Sequence, residues 1–150
     1  MIGDSGWIAA HIPHRGNMCL LDRVLEWDDE RVRCAALSHR DPGNPLRAGG
    51  MLSAVHGIEY AAQAMAVHRA LRELDDEARA PRGMLASVRD VTLHVDRLDD
   101  IGGEIAVDAN RVSGDLDVVL YEFRIDAGGR VLVSGRVAAL LDVDRLAERR

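Results

Sequence analysis

LRAGGMLSAVHGIEYAAQAMAVHRALREL, residues 46–74, is apolar nearly all the way round for its first five turns when wound as a helix. Met51, Leu52, Ala54, Val55, Ile58, Tyr60, Ala61, Ala62, Met65, Ala66 and Val67 leave few positions for solvent. A helix that is hydrophobic on every side belongs inside a protein, and its alanines favour the helical state. His56, Glu59 and Gln63 interrupt the run well short of the roughly 20 apolar residues a membrane span needs. The stretch therefore predicts a central helix wrapped by the rest of the chain.

At about 100° per residue, His56, Glu59 and Gln63 fall within an arc of about 60° and make one polar stripe on that buried rod. An unpaired buried charge is expensive. The stripe is either a structural network that ties the helix to a sheet or second subunit, or a working site.

The bulk composition narrows the classes. A chain of 150 residues suits one compact domain, here taken as residues 1–150. Aromatic residues make up 3%, which leaves almost no stacking platform for single-stranded nucleic acid. The formal charge of -6 argues against a general polyanion binder, so no nucleic acid is expected as a partner. Cys19 and Cys34 lack metal-type spacing, and no metal site is expected. With no secretory signal in view, they read as reduced thiols of a cytoplasmic protein. No run is long enough for a transmembrane helix, and no membrane association is expected.

Outward from the helix, the remainder reads as strands. Residues 5–11 predict one or two helical turns capped by Asp4 or Ser5. Residues 24–27 and 31–38 look like a hairpin around Asp28-Asp29-Glu30, with Val32 and Cys34 inward. Residues 39–50, HRDPGNPLRAGG, hold two prolines and three glycines and run straight into the helix. The Gly49-Gly50 pair permits close approach to the backbone, and a helix starting behind it aims unpaired N–H groups at that space. After Leu71 the pattern turns polar, and Pro81-Arg82-Gly83 ends the helix. Strands follow at 84–95, 104–112, 118–125 and 130–141. Inward faces are expected from Val91, Leu93 and Val95, from Ile105, Val107 and Ala109, and from Val119, Tyr121, Phe123 and Ile125. Short turns join them, so the sheet is antiparallel. The last residues, DRLAERR, read as a frayed helical turn. The class is α+β, and a sheet curled around a single helix leaves an edge that predicts a dimer with joined sheets.

The residue types suited to chemistry are His14, His39, His56, Glu59 and Gln63. Histidine abstracts protons near neutral pH. A carboxyl on an apolar helix is expected to have its pKa raised, so that it stays protonated and acts as an acid. A His39/Glu59 pair suits elimination of water: one removes a proton alpha to a carbonyl, the other protonates the leaving hydroxyl. Backbone N–H groups at the helix start could hold the carbonyl oxygen. His39 equally suits a loop cap, and His56 a structural partner of Glu59.

Three segments carry a family resemblance. IPHRGNMCLLDRV (12–24) looks like the N-terminal segment of bacterial 3-hydroxyacyl-acyl-carrier-protein dehydratases, where Pro-His-Arg is followed by Leu-Leu/Val-Asp-Arg-Val. SHRDPGNPLRAGG (38–50) resembles their His-Phe-Pro-Gly-Asn-Pro loop, with His39 at the catalytic histidine. IEYAAQAMA (58–66) resembles their Glu-Ala-Met-Ala-Gln helix, with Glu59 at the catalytic glutamate and Gln63 four residues on. The similarity runs over residues 12–141. It implies a hotdog fold, an antiparallel sheet wrapped around the long helix. It implies dimers with His from one subunit and Glu from the other, and dehydration of a 3-hydroxyacyl thioester to the trans-2-enoyl thioester without a cofactor. Gly49, Gly50, Gln63 and His56 are then the substrate-binding candidates.

The resemblance has departures. Arg40-Asp41 stand where the family has Phe-Pro, the His-to-Glu interval is longer, and Ala48-Gly49-Gly50 replaces the family's Pro-Gly. These features resemble the divergent dehydratase-like proteins of aryl-polyene-type clusters, some of which work beside a second dehydratase subunit. Three functions follow: a dehydratase acting on acyl groups carried by acyl carrier protein or coenzyme A, as homodimer or heterodimer; a non-catalytic hotdog subunit that stabilises an active partner; or a thioesterase. Met51, Val55, Met65 and Phe123 serve either as acyl-tunnel lining or as core. Arg47, Arg69, Arg72, Arg79, Arg82 and Arg89 form either a carrier-protein patch or a solvated face.

Overall fold

In a computed structural model the described residues are 3–73, 84–115, 117–140 and 148. The chain opens with helix α1 (Ser5–His11), whose N-cap Asp4 accepts from the Trp7 N–H. Strands β1 (Arg23–Trp27) and β2 (Arg31–Ala36) follow as the expected hairpin. Asp28 closes their turn by accepting from the N–H groups of Glu30 and Arg31. Helix α2 (Gly57–Glu73) comes next, and then β3 (Met84–Leu93), β4 (Ile105–Gly114), β5 (Val118–Ala127) and β6 (Arg130–Leu140). The strands form one antiparallel sheet in the order β1-β2-β4-β5-β6-β3. Helix α2 packs on β2, β4 and β5.

The core follows from alternation along the strands. Val32 and Cys34 of β2, Ile105, Val107 and Ala109 of β4, and Val119, Tyr121, Phe123 and Ile125 of β5 are buried. They meet Tyr60, Ala61, Ala64, Met65, Val67 and Leu71 of α2 in one cluster. Helix and sheet are in tight contact at Gly57: a Cβ built there lies 2.9 Å from Ile125 Cδ1 and 3.2 Å from Val133 Cγ2. Farther along, the buried His68 ring bonds the Tyr121 hydroxyl and, at 2.8 Å, the Asp28 carbonyl. That pair of bonds pins α2 both to β5 and to the β1–β2 turn.

Two local readings change. The 46–74 stretch is not one helix. Ala48 and Met51 pair across Gly49-Gly50, both at positive φ (60° and 76°), in a two-residue turn closed by bonds of 2.9 and 3.1 Å. Met51 to Val55 then alternates exposed and buried, with Leu52 and Ala54 inward, as extended chain does. A single 3₁₀ turn, Ala54–His56, leads into α2. The second change is on β3. Its register shifts between Arg89 and Thr92, where Asp90 sits at φ 54°. Leu93 lies opposite the buried Val133 on the expected face, but β3 is an edge strand and Leu93 is exposed. The expected helix end at 74–83 and nearly all of the C-terminal turn lie outside the described residues.

Strands β1 and β3 are the sheet's two edges. β3 exposes Met84, Val88 and Leu93 along its length. Among the described residues, no helix is long and apolar enough to cross a membrane.

Candidate active site

Glu59 lies in the first turn of α2, where the helix dipole favours an anion. Its Oε1 takes two contacts: His14 Nε2 at 3.0 Å and Gln63 Nε2 at 3.2 Å. Gln63 is fully buried and has three uses. Besides meeting Glu59, its amide donates to the Met18 carbonyl at 2.6 Å, and its oxygen accepts from the Leu20 N–H at 2.8 Å. One side chain thus clamps the segment that carries His14 onto the helix and fixes the Glu59 rotamer. Glu59 and Gln63 are one turn apart, the spacing that brings helix side chains together.

These contacts decide the charge. Burial is the largest single influence on Glu59 and pushes its pKa up, but hydrogen bonds from His14 and Gln63 and the His14 charge outweigh it. Glu59 therefore sits below the ordinary carboxylate value and is ionised at rest. An apolar helix alone predicts the reverse; the polar residues that the fold brings to the carboxylate account for the difference.

His39 occupies a 3₁₀ turn, Ser38–Arg40. Its ring is fully buried, Nε2 lies 3.1 Å from the Ile101 carbonyl, and Nδ1 is buried without a hydrogen-bond partner. Burial pulls the His39 pKa down, against the carbonyls of Ile101 and Gly103, so the ring is neutral. With Nε2–H donating to Ile101, Nδ1 carries the lone pair. Within this chain the side-chain polar contacts of Glu59 go to His14 and Gln63, and the His39 ring turns to the Ile101 carbonyl.

The loop carrying His39 is stitched to α2 through Tyr60 and braced internally by Arg47. The Tyr60 hydroxyl lies 2.7 Å from Ser38 Oγ. Asn44 donates to the Ser38 carbonyl at 2.9 Å and to the Tyr60 hydroxyl at 3.2 Å. Arg47 donates to the carbonyls of His39 and Gly50.

The other candidates are dispersed. Gly49 and Gly50 form the exposed tip of their turn with open space around both, and α2 begins seven residues beyond Gly50 rather than directly behind it. His56 is partly exposed in the 3₁₀ turn before α2. Met65 and Phe123 are core, whereas Met51 and Val55 are exposed. Of the arginines, Arg47 clamps the loop, Arg69 pairs with Glu73 at 3.0 Å, and Arg72 and Arg89 are exposed; Arg79 and Arg82 lie outside the described residues.

His14 is the residue that sequence reasoning left without a role. Its ring carries the contact to Glu59 although 45 residues separate the two. The available signal was the Pro13-His14-Arg15 motif itself.

A six-stranded antiparallel sheet packed on one long helix is the hotdog fold. Within that class the family model of ApeP dehydratase (ApeP-like) matches residues 7–147, and the chain belongs to that family. The chain is similar to the dehydratase heterocomplex ApeI:P from Xenorhabdus doucetiae, at 28% identity and a TM-score of 0.82, with 95% of each chain covered. Zebra fish thioesterase superfamily member 2 shares the fold at 17% identity and a TM-score of 0.59, over 89% of this chain and 90% of that one. A mutant thioesterase from Pseudomonas aeruginosa does so at 15% and 0.55, over 79% and 78%. No curated protein sequence matches the chain.

Proposed function

We propose that this chain is a dehydratase subunit that converts 3-hydroxyacyl thioesters, carried on acyl carrier protein, to trans-2-enoyl thioesters. The observation that carries the reading is Glu59: a carboxylate on the central helix with one oxygen held by His14 and Gln63. Elimination of water breaks the C2–H and C3–O bonds and forms the C2–C3 double bond. His39 of one subunit, neutral with a lone pair on Nδ1, is suited to accept the C2 proton. Glu59 of the other is suited to deliver a proton to the departing hydroxyl. Burial is already the largest influence on Glu59. An acyl chain covering the rest of the side chain strengthens that upward push and loads the carboxyl with its proton. The exposed β3 edge, with Met84, Val88 and Leu93, is the proposed seam for a second hotdog subunit. Gly49, Gly50 and His56 are proposed to meet the carrier arm at the mouth of the joined site.

One observation favours a second reading, a subunit that supports an active partner. His39 is fully buried and turned to the Ile101 carbonyl. The test is dehydration of a 3-hydroxyacyl thioester on carrier protein and on coenzyme A, by the chain alone and mixed with a hotdog dehydratase. Wild type is compared with Glu59→Gln and His39→Ala. Enoyl product that disappears in both folded variants supports the proposal. Product formed only by the mixture and untouched by either substitution supports the second reading.

A further inference from the structure

We propose that His14 is the positioning residue of Glu59: it holds one carboxylate oxygen and so selects which oxygen meets substrate. The proposal rests on the reading of Glu59 as an acid–base residue. His14 and Gln63 both contact Oε1. Among the described residues Oε2 has no hydrogen-bond partner, so it is the oxygen left for a ligand. The two side chains remain about a quarter exposed, 23% for His14 and 29% for Glu59. A ligand can therefore reach the pair, while water does not surround it.

His14 is held for this task by its surroundings. Its segment is fixed from both sides of the ring. Ile12 is fully buried, and Cys19 Sγ donates to the His14 carbonyl at 3.3 Å. Beyond it, Gln63 grips Met18 and Leu20, and Ser38 Oγ donates to the Leu20 carbonyl at 2.7 Å. The ring reaches Glu59 through Nε2, while Nδ1 is buried without a partner. A ring kept only for stability would be served better by a second bond at Nδ1. Among the described residues His14 is the charged or titratable group acting on Glu59, since Gln63 is neutral. The charge that favours ionised Glu59 therefore comes from His14, alongside the neutral Gln63 hydrogen bond.

Glu59 is read directly by carbon-13 NMR of its side-chain carboxyl in the full chain, with Glu59→Gln to assign the signal. In His14→Ala the Glu59 titration midpoint should rise. In His14→Gln, an uncharged donor of similar reach, part of the shift should be recovered. In the dehydration assay His14→Ala should lower kcat about 10- to 100-fold, with KM little changed and the pH profile displaced in the same direction as the NMR midpoint. A midpoint unchanged in His14→Ala, with the fold intact by circular dichroism, overturns the proposal even if dehydration depends on Glu59. A shifted midpoint in a chain that dehydrates nothing, alone or mixed, leaves His14 in its role and removes the dehydratase reading.

Discussion

Replacing Gln63 by leucine tests whether one buried amide holds the site together. The substitution roughly conserves volume but deletes three hydrogen bonds. The Leu20 N–H is left buried without an acceptor, which costs about 1–3 kcal/mol. The Met18 carbonyl, closer to water, loses about 1 kcal/mol. Burying methyl groups where an amide sat returns about 1 kcal/mol. The net is a loss of about 2 kcal/mol, read as a lower midpoint at unchanged slope in urea unfolding followed by far-UV circular dichroism. Gln63→Glu separates the contributions, because its carboxylate still accepts from Leu20 and keeps that bond. It also sets a second negative charge beside Glu59, so the Glu59 carboxyl should titrate at higher pH than in the wild type. A Gln63→Leu variant within about 0.5 kcal/mol of wild type, the ordinary range for surface changes, would show that segment 18–20 is held by something else and would refute the clamp.

Gly57→Ala should cost about 1–2 kcal/mol despite alanine's better helix propensity, because its methyl meets Ile125 and Val133 in a filled core; thermal unfolding checks the sign. Acid should act in two stages, seen as two slopes in urea midpoints between pH 8 and pH 3. Burial depresses His68 and His39 below the ordinary histidine value of 6.5, so their contribution is complete above that pH and is lost as pH falls through the folded values. Glu59 is depressed below 4.5, so its contribution survives the first stage and goes in the second. Burial pushes the Cys34 thiol up to about 12, so a thiol reagent should label it only as fast as the protein unfolds. The half-buried Cys19 should react first.

The sheet was legible because its signal is local. Alternation at Ile105, Val107 and Ala109, and again from Val119 to Ile125, states which side faces the helix, and the structure buries those residues. The helix start was not legible in the same way. Apolar residues from Met51 to Val55 fit a buried helix and an extended arm equally well, and the paired glycines at 49 and 50 were the better guide to a turn. Glu59 stood out as a charge in an apolar run. What surrounds it did not, since its ionisation depends on His14, brought from 45 residues upstream by a clamp at Gln63. The exposure of Leu93 was not legible for a related reason: alternation states a face, and it does not state that β3 is the sheet's edge.

The register shift at Asp90 also bears on what happens to this chain when it is crowded or newly made. An open strand with apolar side chains invites endless stacking of copies into fibres. Here the ladder is broken twice, after Leu85 and after Arg89. A copy arriving in straight register would face a kinked backbone and an acidic side chain, and would leave amides stranded. The strand therefore ends a stack rather than starting one, admitting only a companion shaped to the same kink.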